Sequence, residues 1–405
     1  AGGRVGSTFR DGRCVMNRII SALAIGAALT LTLGAAEAQD KLKVGVIATL
    51  SGPPAVLGQQ LRNGFQLAVK DLGGKLGGRD VEIIVQDDEL KPDVAVNKVK
   101  ALVDRDKVDF VVGPIFSNIL QAIMKPVTDS GAILVSPNAG TSNFAGKECN
   151  ENFFVTSYQN DQMPEVSSKY ANDAGFKNVY LIAPNYQAGK DSLAGFKRNF
   201  KGKIVDEVYV PLNTLDYSAE LSRIASANPD ALYVFLPGGM GVNFVKQFRQ
   251  AGLADKIKVL SSFTVDESTL PAQQDAALGM FAGGNWAPNL DNPQNKKFVA
   301  AYEKEFGAVP GSYAMQAYDA ALLIDGALKQ TKGSTSDKDA LRKAMLKADF
   351  QSLRGKFKFN TNHYPIQDFY LVKVAKRADG KFQTEIVNKV LTDFADVYVG
   401  ECKMK

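Results

Sequence analysis

Two short turns carry the residues best placed to hold a small anion. Gly113-Pro114-Ile115-Phe116-Ser117-Asn118 follows the apolar run Asp109–Val112 and opens a helical pattern. At such a turn a ligand meets free backbone N–H groups and the positive end of a helix dipole. Ser117 is expected at the N-cap, with its hydroxyl also able to donate to a carboxylate; a plain helix cap is the alternative. Ser136-Pro137-Asn138-Ala139-Gly140-Thr141-Ser142 follows the next strand, and its small residues let the backbone approach a ligand closely. Thr141 adds a hydroxyl. Two polar turns after successive strands of one sheet converge on one anion-sized spot.

Enzyme-like strings fail on their chemistry. Pro184 to Asp191 resembles a phosphate-binding loop, but Pro184 replaces the leading glycine and Asp191 the Mg²⁺-binding hydroxyl. Gly239-Met240-Gly241 has Phe244 where a dinucleotide fingerprint needs its third glycine. Asp87-Asp88-Glu89 has no matching acidic cluster elsewhere and reads as a solvated or hinge-side turn. The single histidine, His363, sits in a polar turn and reads as structural or merely exposed. One histidine leaves almost no room for a His-dependent triad or a multi-histidine metal site. No metal, cofactor or catalytic residue is expected.

The elements that position the turns alternate strand and helix. Strands are predicted at 44–48, 81–86, 109–112 and 132–135, with helices at 58–72, 93–103 and 119–129. The pattern restarts after Gln159, with strands at 179–183, 204–210, 231–236 and 258–260. Helices fall between them at 162–174, 191–200, 217–227 and 242–250. Helices at 294–306, 313–329 and 337–347 then precede strands near 356–359, 369–374 and 382–390. Continuous β-branched runs between helices indicate parallel sheets covered on both faces. Without a low-complexity linker, two similarly wound lobes should be joined by several crossings, which suits a hinged cleft.

The start of the chain reads as an export signal. Met16-Asn17-Arg18 is a short positive segment, Ile19 to Leu33 an apolar-and-small run, and Ala36-Glu37-Ala38 a small-x-small cleavage site. The run is shorter than the ~20 residues a membrane-spanning helix needs; an uncleaved anchor is the alternative. Residues 1–15 are polar and read as a non-structural upstream extension, 16–38 as a signal peptide cleaved after Ala38. The whole chain carries +5; without the net +2 of its first 38 residues about +3 remains, with signs interspersed. No Lys/Arg stripe suggests nucleic acid. Cys149 and Cys402 remain in the mature part, and in an oxidising compartment they most simply form one disulfide. Two separate reduced thiols are the alternative.

The segments KVGVIATLSGPPAVLGQQLRNGFQLAV (43–69), VVGPIFSN, ILVSPNAGTSN, NYQAGKD and YAMQAYDAALLIDGAL resemble the type I periplasmic binding proteins. More narrowly, they resemble the leucine/isoleucine/valine-binding branch that feeds ABC importers, over essentially the whole mature chain. That resemblance implies two Rossmann-like α/β lobes with parallel-type sheets and a three-crossover hinge. The lobes would be 41–157 plus 285–364, and 158–284 plus 365–405. It further implies that Ser117 and Ala139-Gly140-Thr141 hold a ligand carboxylate, that Asn138 and Phe116 flank it, and that Tyr186 caps the site. Pro53, Val56 and Leu57 would be wall residues.

Departures from the branch point to the ligand. Amino-acid binders place an acidic residue after the 258–260 strand to pair with the α-ammonium; here Ser261-Ser262-Phe263-Thr264 stands there, with Asp266 and Glu267 later. Leu236-Pro237-Gly238-Gly239 replaces the polar or tyrosine-bearing turn expected for amino acids. An uncompensated ammonium in a closed cleft is costly. The phrases LDNPQNKKFVAAY and ADFQSLRGKFKFNTNHYPIQDFYLVKV, with the tail GECKMK, resemble a subgroup that takes up aromatic acids. Phe116, Phe263, Leu57 and Pro237 would then form an apolar wall for a ring. The expected protein is a monomeric periplasmic component that binds a small aromatic carboxylate and delivers it to an inner-membrane ABC permease. A branched-chain amino acid ligand is one alternative, and a ligand-sensing receptor ectodomain is the alternative from another class.

Overall fold

The structure, a computed structural model, describes residues 41–404 and, near the start, Gly2, Gly3 and Gly6. The readings of the signal segment 16–38, its cleavage site and Cys14 lie outside the described residues.

The first sheet grows from β1 (Leu42–Ala48), α1 (Ala55–Asp71), the short β2 (Lys75–Leu76), β3 (Arg79–Asp87) and α2 (Pro92–Lys100). It continues through β4 (Phe110–Val112), α3 (Ser117–Asp129), β5 (Ile133–Ser136), α4 (Ser142–Ala145) and β6 (Phe153–Val155). Strand order is β2-β3-β1-β4-β5-β6, parallel except for the β2–β3 hairpin. Val44 pairs with Phe110 and Val46 with Val112, so both carboxyl ends point towards the turns at Gly113 and Ser136. The apolar runs of β4 and β5 are buried throughout, as a sheet covered on both faces requires.

The second sheet follows α5 (Gln162–Asp173) and comprises β7 (Asn178–Pro184), α6 (Gln187–Asn199), β8 (Lys203–Val210) and α7 (Ser218–Ala227). Next come β9 (Ala231–Val234), α8 (Gly239–Gln250), β10 (Lys258–Ser261), α9 (Leu270–Gln273) and β11 (Phe281–Gly284). Helices α10 (Pro293–Phe306), α11 (Ser312–Gln330) and α12 (Lys338–Lys347) precede β12 (Lys358–Phe359), β13 (Pro365–Lys376) and β14 (Phe382–Phe394). The order is β12-β13-β11-β10-β9-β7-β8, with β14 on β13. Strands β7 to β11 are parallel, whereas β13 runs antiparallel to its neighbours, so the sheet is mixed rather than wholly parallel. A tight 377–381 turn returns the chain directly, and a hairpin can only be antiparallel.

Helix α11 packs on α1, beside the first sheet. Gly64 permits this approach: a Cβ there would stand 2.1 Å from the Ala314 carbonyl oxygen. The chain therefore leaves the first sheet after Val155, passes back beside it with α11 after the second sheet's Gly284, and rejoins the second sheet at β12 and β13. Side chains lace these crossings together. Asn285 Nδ2 donates to Ser157 O at 3.1 Å and Gln367 Nε2 to the same oxygen at 2.6 Å. Buried Arg354 donates to Ser157 O, Thr156 O and Gln367 Oε1, and pairs with buried Asp319 at 3.0 Å.

One expectation about a polar turn needs correction, and the structural reading of His363 holds. Asp88 is fully buried rather than solvated, because Thr49 at the end of the neighbouring β1 donates to it at 2.6 Å. His363 is buried, with φ +62°, stacked on Phe154 at 4.1 Å, and its Nδ1 lies 3.1 Å from Phe153 O. The predicted helix over 93–103 stops at Lys100 and continues as a π-helical turn over Ala101–Arg105.

Candidate ligand-binding site

The carboxyl ends of β4, β5, β7, β9 and β10 face one cavity lined from both sheets. The first sheet contributes Ile115, Phe116 and Ser117 after β4, and Asn138 and Ala139 after β5. The second contributes Tyr186, Ala188 and Ser192, then Phe235 and Pro237 after β9 and Ser262 and Phe263 after β10. Tyr158 and Asn160 enter from the first crossing, and Tyr313 from the start of α11.

Six aromatic side chains among these form a continuous wall. Phe116 lies 6.1 Å from Tyr186, which lies 6.3 Å from Phe235 with nearly parallel planes. Phe263 is edge-on to Phe235 at 6.5 Å, stacks on Tyr158 at 5.1 Å and approaches Tyr313 at 5.5 Å. Phe263 has φ +55°, a left-handed conformation that a bulky residue adopts only when its surroundings impose it. Such conformations cluster at ligand sites.

The polar groups are uncharged: none of the described residues lining the cavity is Asp, Glu, Lys or Arg. Ser117 is the first residue of α3, not its N-cap; Phe116 takes that position with extended backbone and no side-chain cap. The Ser117 hydroxyl is thereby left to accept from Asn160 Nδ2 at 3.3 Å and to donate elsewhere. Tyr186 is the N-cap of α6, again with extended backbone and no side-chain cap. Both helices are 13 residues long, and their first N–H groups lack intrahelical partners. An anion between them meets donors and positive helix ends from both halves. Burial pushes the phenols of Tyr158, Tyr186 and Tyr313 well up, so they stay neutral donors.

The residues predicted for the site divide. Ser117, Phe116, Ala139, Asn138, Tyr186, Phe263 and Pro237 come together on the lining. The Asn138 side chain is committed internally, donating to Ile115 O at 2.6 Å and accepting from Tyr158 OH at 2.8 Å, so it shapes the turn. Gly140, Thr141 and Leu57 lie off the lining. Gly140 is pinned under Tyr158, whose carbonyl oxygen would be 1.9 Å from a Cβ there. Thr141 is the N-cap of α4, its Oγ1 buried without a partner. Leu57 is fully buried and packs against Gly238. Tyr158, Asn160, Ser192, Phe235, Ser262 and Tyr313 were missed. The strand-end rule that located the first two turns reaches Phe235 and Ser262 when applied to β9 and β10.

The two acidic residues that an amino-acid ligand would call on, Asp266 and Glu267, lie off the lining. Asp266 Oδ1 accepts from the Ser268 amide at 2.7 Å and from its hydroxyl, whereas Oδ2 is buried with no partner among the described residues. The carboxylate adds to the upward shift of Tyr158 and Tyr313, and burial raises its own pKa to about 6. Glu267 accepts from Thr384 N and Oγ1 at 2.6 Å, and burial raises it to about 7. Cys149 and Cys402 are joined by a disulfide, with Cα atoms 5.6 Å apart. Among the described residues no group of three or more His, Cys, Asp or Glu could hold a metal ion.

Two α/β lobes around a cleft lined from both sheets define a cleft-type binding protein. The sequence profile of the periplasmic binding protein family matches residues 41–381, and the chain belongs to that family. It is a type I periplasmic solute-binding protein of the kind that serves ABC importers. A Leu/Ile/Val-binding protein homolog 6 from Brucella melitensis is 30% identical over 374 residues, 89% of this chain and 94% of its own. A solute-binding protein of an ABC transporter from R. palustris, solved with benzoate, is 31% identical with a TM-score of 0.85. That comparison covers 90% of this chain and 100% of the other. A second, from Rhodopseudomonas palustris BisB5 with 3,4-dihydroxy benzoic acid, is 33% identical with a TM-score of 0.82, covering 89% and 99%.

Proposed function

We propose that the protein captures a small aromatic carboxylate, of benzoate or hydroxycinnamate type, and presents it to an inner-membrane ABC permease. The carrying observation is the cavity itself: uncharged, walled by aromatic rings and facing the starts of α3 and α6. Such a site suits an anion with a flat apolar body and disfavours an ammonium. Burying ~150 Å² of ring at ~25 cal/mol/Å² contributes about 4 kcal/mol. Charge-assisted hydrogen bonds to the carboxylate add ~1.5–3 kcal/mol each, which brings a micromolar Kd within reach. The solved relatives holding benzoate and 3,4-dihydroxy benzoic acid support the same ligand class.

Capture proceeds by closure of a lobe 41–157 plus 285–364 on a lobe 158–284 plus 365–405, about the crossings at Ser157, Asn285 and Gln367. Ser117 and the Ala139 turn hold the carboxylate, while Tyr186, Phe263 and Pro237 bound the ring. The protein works as a monomer in the periplasm after cleavage behind Ala38. Binding and release, with no bond broken, make up its cycle. A branched-chain amino acid is the second reading, favoured by the name of the Brucella relative.

Calorimetry with benzoate, 4-hydroxybenzoate and p-coumarate beside leucine and valine separates the two. Heat from the aromatic acids alone is expected. Heat from leucine or valine alone would overturn the aromatic reading.

A further inference from the structure

Below the aromatic wall, three hydroxyls form a chain. Ser192 Oγ and Tyr233 OH are 2.7 Å apart, and Tyr233 OH donates to Ser262 Oγ at 3.1 Å. Ser192 and Ser262 line the cavity, and Tyr233 is fully buried behind them. Three hydroxyls hold three protons for two links. With the Tyr233 proton on Ser262, the Ser192 proton goes to Tyr233. The Ser262 proton then has no acceptor among the described residues, while Ser192 keeps open lone pairs. The relay thus offers the cavity a donor at one serine and an acceptor at the other. Both serines are over nine-tenths buried, where an unmet hydrogen bond is expensive.

A carboxylate only accepts, and the turns at Ser117 and Ala139 lie on the other sheet's side of the cavity. A group that donates and accepts at once matches the relay. On a flat aromatic acid that group is a ring hydroxyl. We propose that Ser192, Tyr233 and Ser262 read a hydroxyl on the ligand's ring, so that the preferred ligands are hydroxylated aromatic acids rather than their unsubstituted parents. The inference rests on the aromatic-carboxylate reading and assigns the second half of the molecule a role in specificity. Sites built to hydrogen-bond a substrate hydroxyl discriminate strongly against analogues lacking it, because their own polar groups are stranded.

The test is calorimetry on the purified protein with two pairs: benzoate with 4-hydroxybenzoate, and cinnamate with 4-hydroxycinnamate. The hydroxylated member of at least one pair is expected to bind tenfold or more tightly. Tyr233→Phe keeps the ring that stacks on Phe196 at 4.7 Å, and Ser262→Ala removes one oxygen. Each should cut the affinity ratio at least fivefold. Equal binding within both pairs, or a ratio unmoved by both substitutions, would overturn this inference while leaving the aromatic reading standing. Failure of all four acids to bind would overturn both.

Discussion

The hydroxyl of Ser142 donates to Asp191 Oδ1 at 2.7 Å, joining a helix that follows β5 of the first sheet to one that follows β7 of the second. The same carboxylate accepts from the Ser142 amide at 3.1 Å, Gln187 Nε2 at 2.8 Å and Asn160 Nδ2 at 3.0 Å. Asn160 in turn reaches Ser117 Oγ and accepts from Gly140 N, so one buried acid ties both walls of the cleft to a cavity residue. Asp191 lies off the lining and acts by positioning Asn160 and holding the halves together.

Removing that carboxylate strands several buried donors, each costing about 1–3 kcal/mol when unmet. Asp191→Ala is therefore expected to weaken ligand binding by roughly ten- to a hundredfold. The free protein should also be more extended. Calorimetry and small-angle scattering check the two parts. Unchanged affinity with an unchanged radius of gyration would deny the residue this role.

Glu267 makes a prediction about pH. Burial, the largest influence, raises it to about 7 from an ordinary 4.5, and the neighbouring Asp266 adds to the shift. A carboxyl raised on folding stabilises the protein fully below its ordinary pKa, and that contribution is lost as pH rises through about 7. The shift corresponds to roughly 3 kcal/mol. Glu267→Gln, which keeps an acceptor for Thr384, should melt near the parent at pH 5 and several degrees above it at pH 8. A constant difference across that range would contradict the assignment.

The strand–helix alternation was legible because each buried strand is a compact apolar run, and the turns after β4 and β5 followed from it. Strands β6 and β11 are not marked in the pattern, since β6 is three residues set in a polar stretch and β11 ends in two glycines. Tyr158 and Asn160 lie in a crossing, and Tyr313 opens a helix far along the chain; no local periodicity brings them to one cavity. Asp88 read as solvated because charge pattern carries no word of the Thr49 hydroxyl that meets it.

His363 titrates in the opposite sense to Glu267. Burial lowers it to about 4, so the folded protein holds it neutral on Phe154. Its contribution is present above the ordinary value of 6.5 and lost as pH falls towards 4, amounting to roughly 3 kcal/mol. His363→Asn suits the φ of +62° but forfeits the ring stack. The variant should be destabilised at pH 7.5, with the deficit shrinking or reversing at pH 5. Denaturant melts at the two pH values measure it. Between about pH 4 and 7 the contributions of His363 and Glu267 run in opposite directions.

The Cys149–Cys402 bridge spans 253 residues of sequence. It fastens the tail beyond β14 of the second sheet to the loop after α4, beside Ser142. Closing so long a loop restricts the unfolded chain, and loss of a native disulfide typically costs about 2–5 kcal/mol. Exchanging both cysteines for serine is expected to lower Tm by several degrees. Reductant should bring the parent's melt down to the variant's and leave the variant unmoved. A parent insensitive to reductant, with a Tm equal to that of the double variant, would show that the bridge adds nothing to stability. If the bridge also restrains the Ser142 side of the cleft, the double variant will bind its ligand more weakly even at temperatures where it is fully folded.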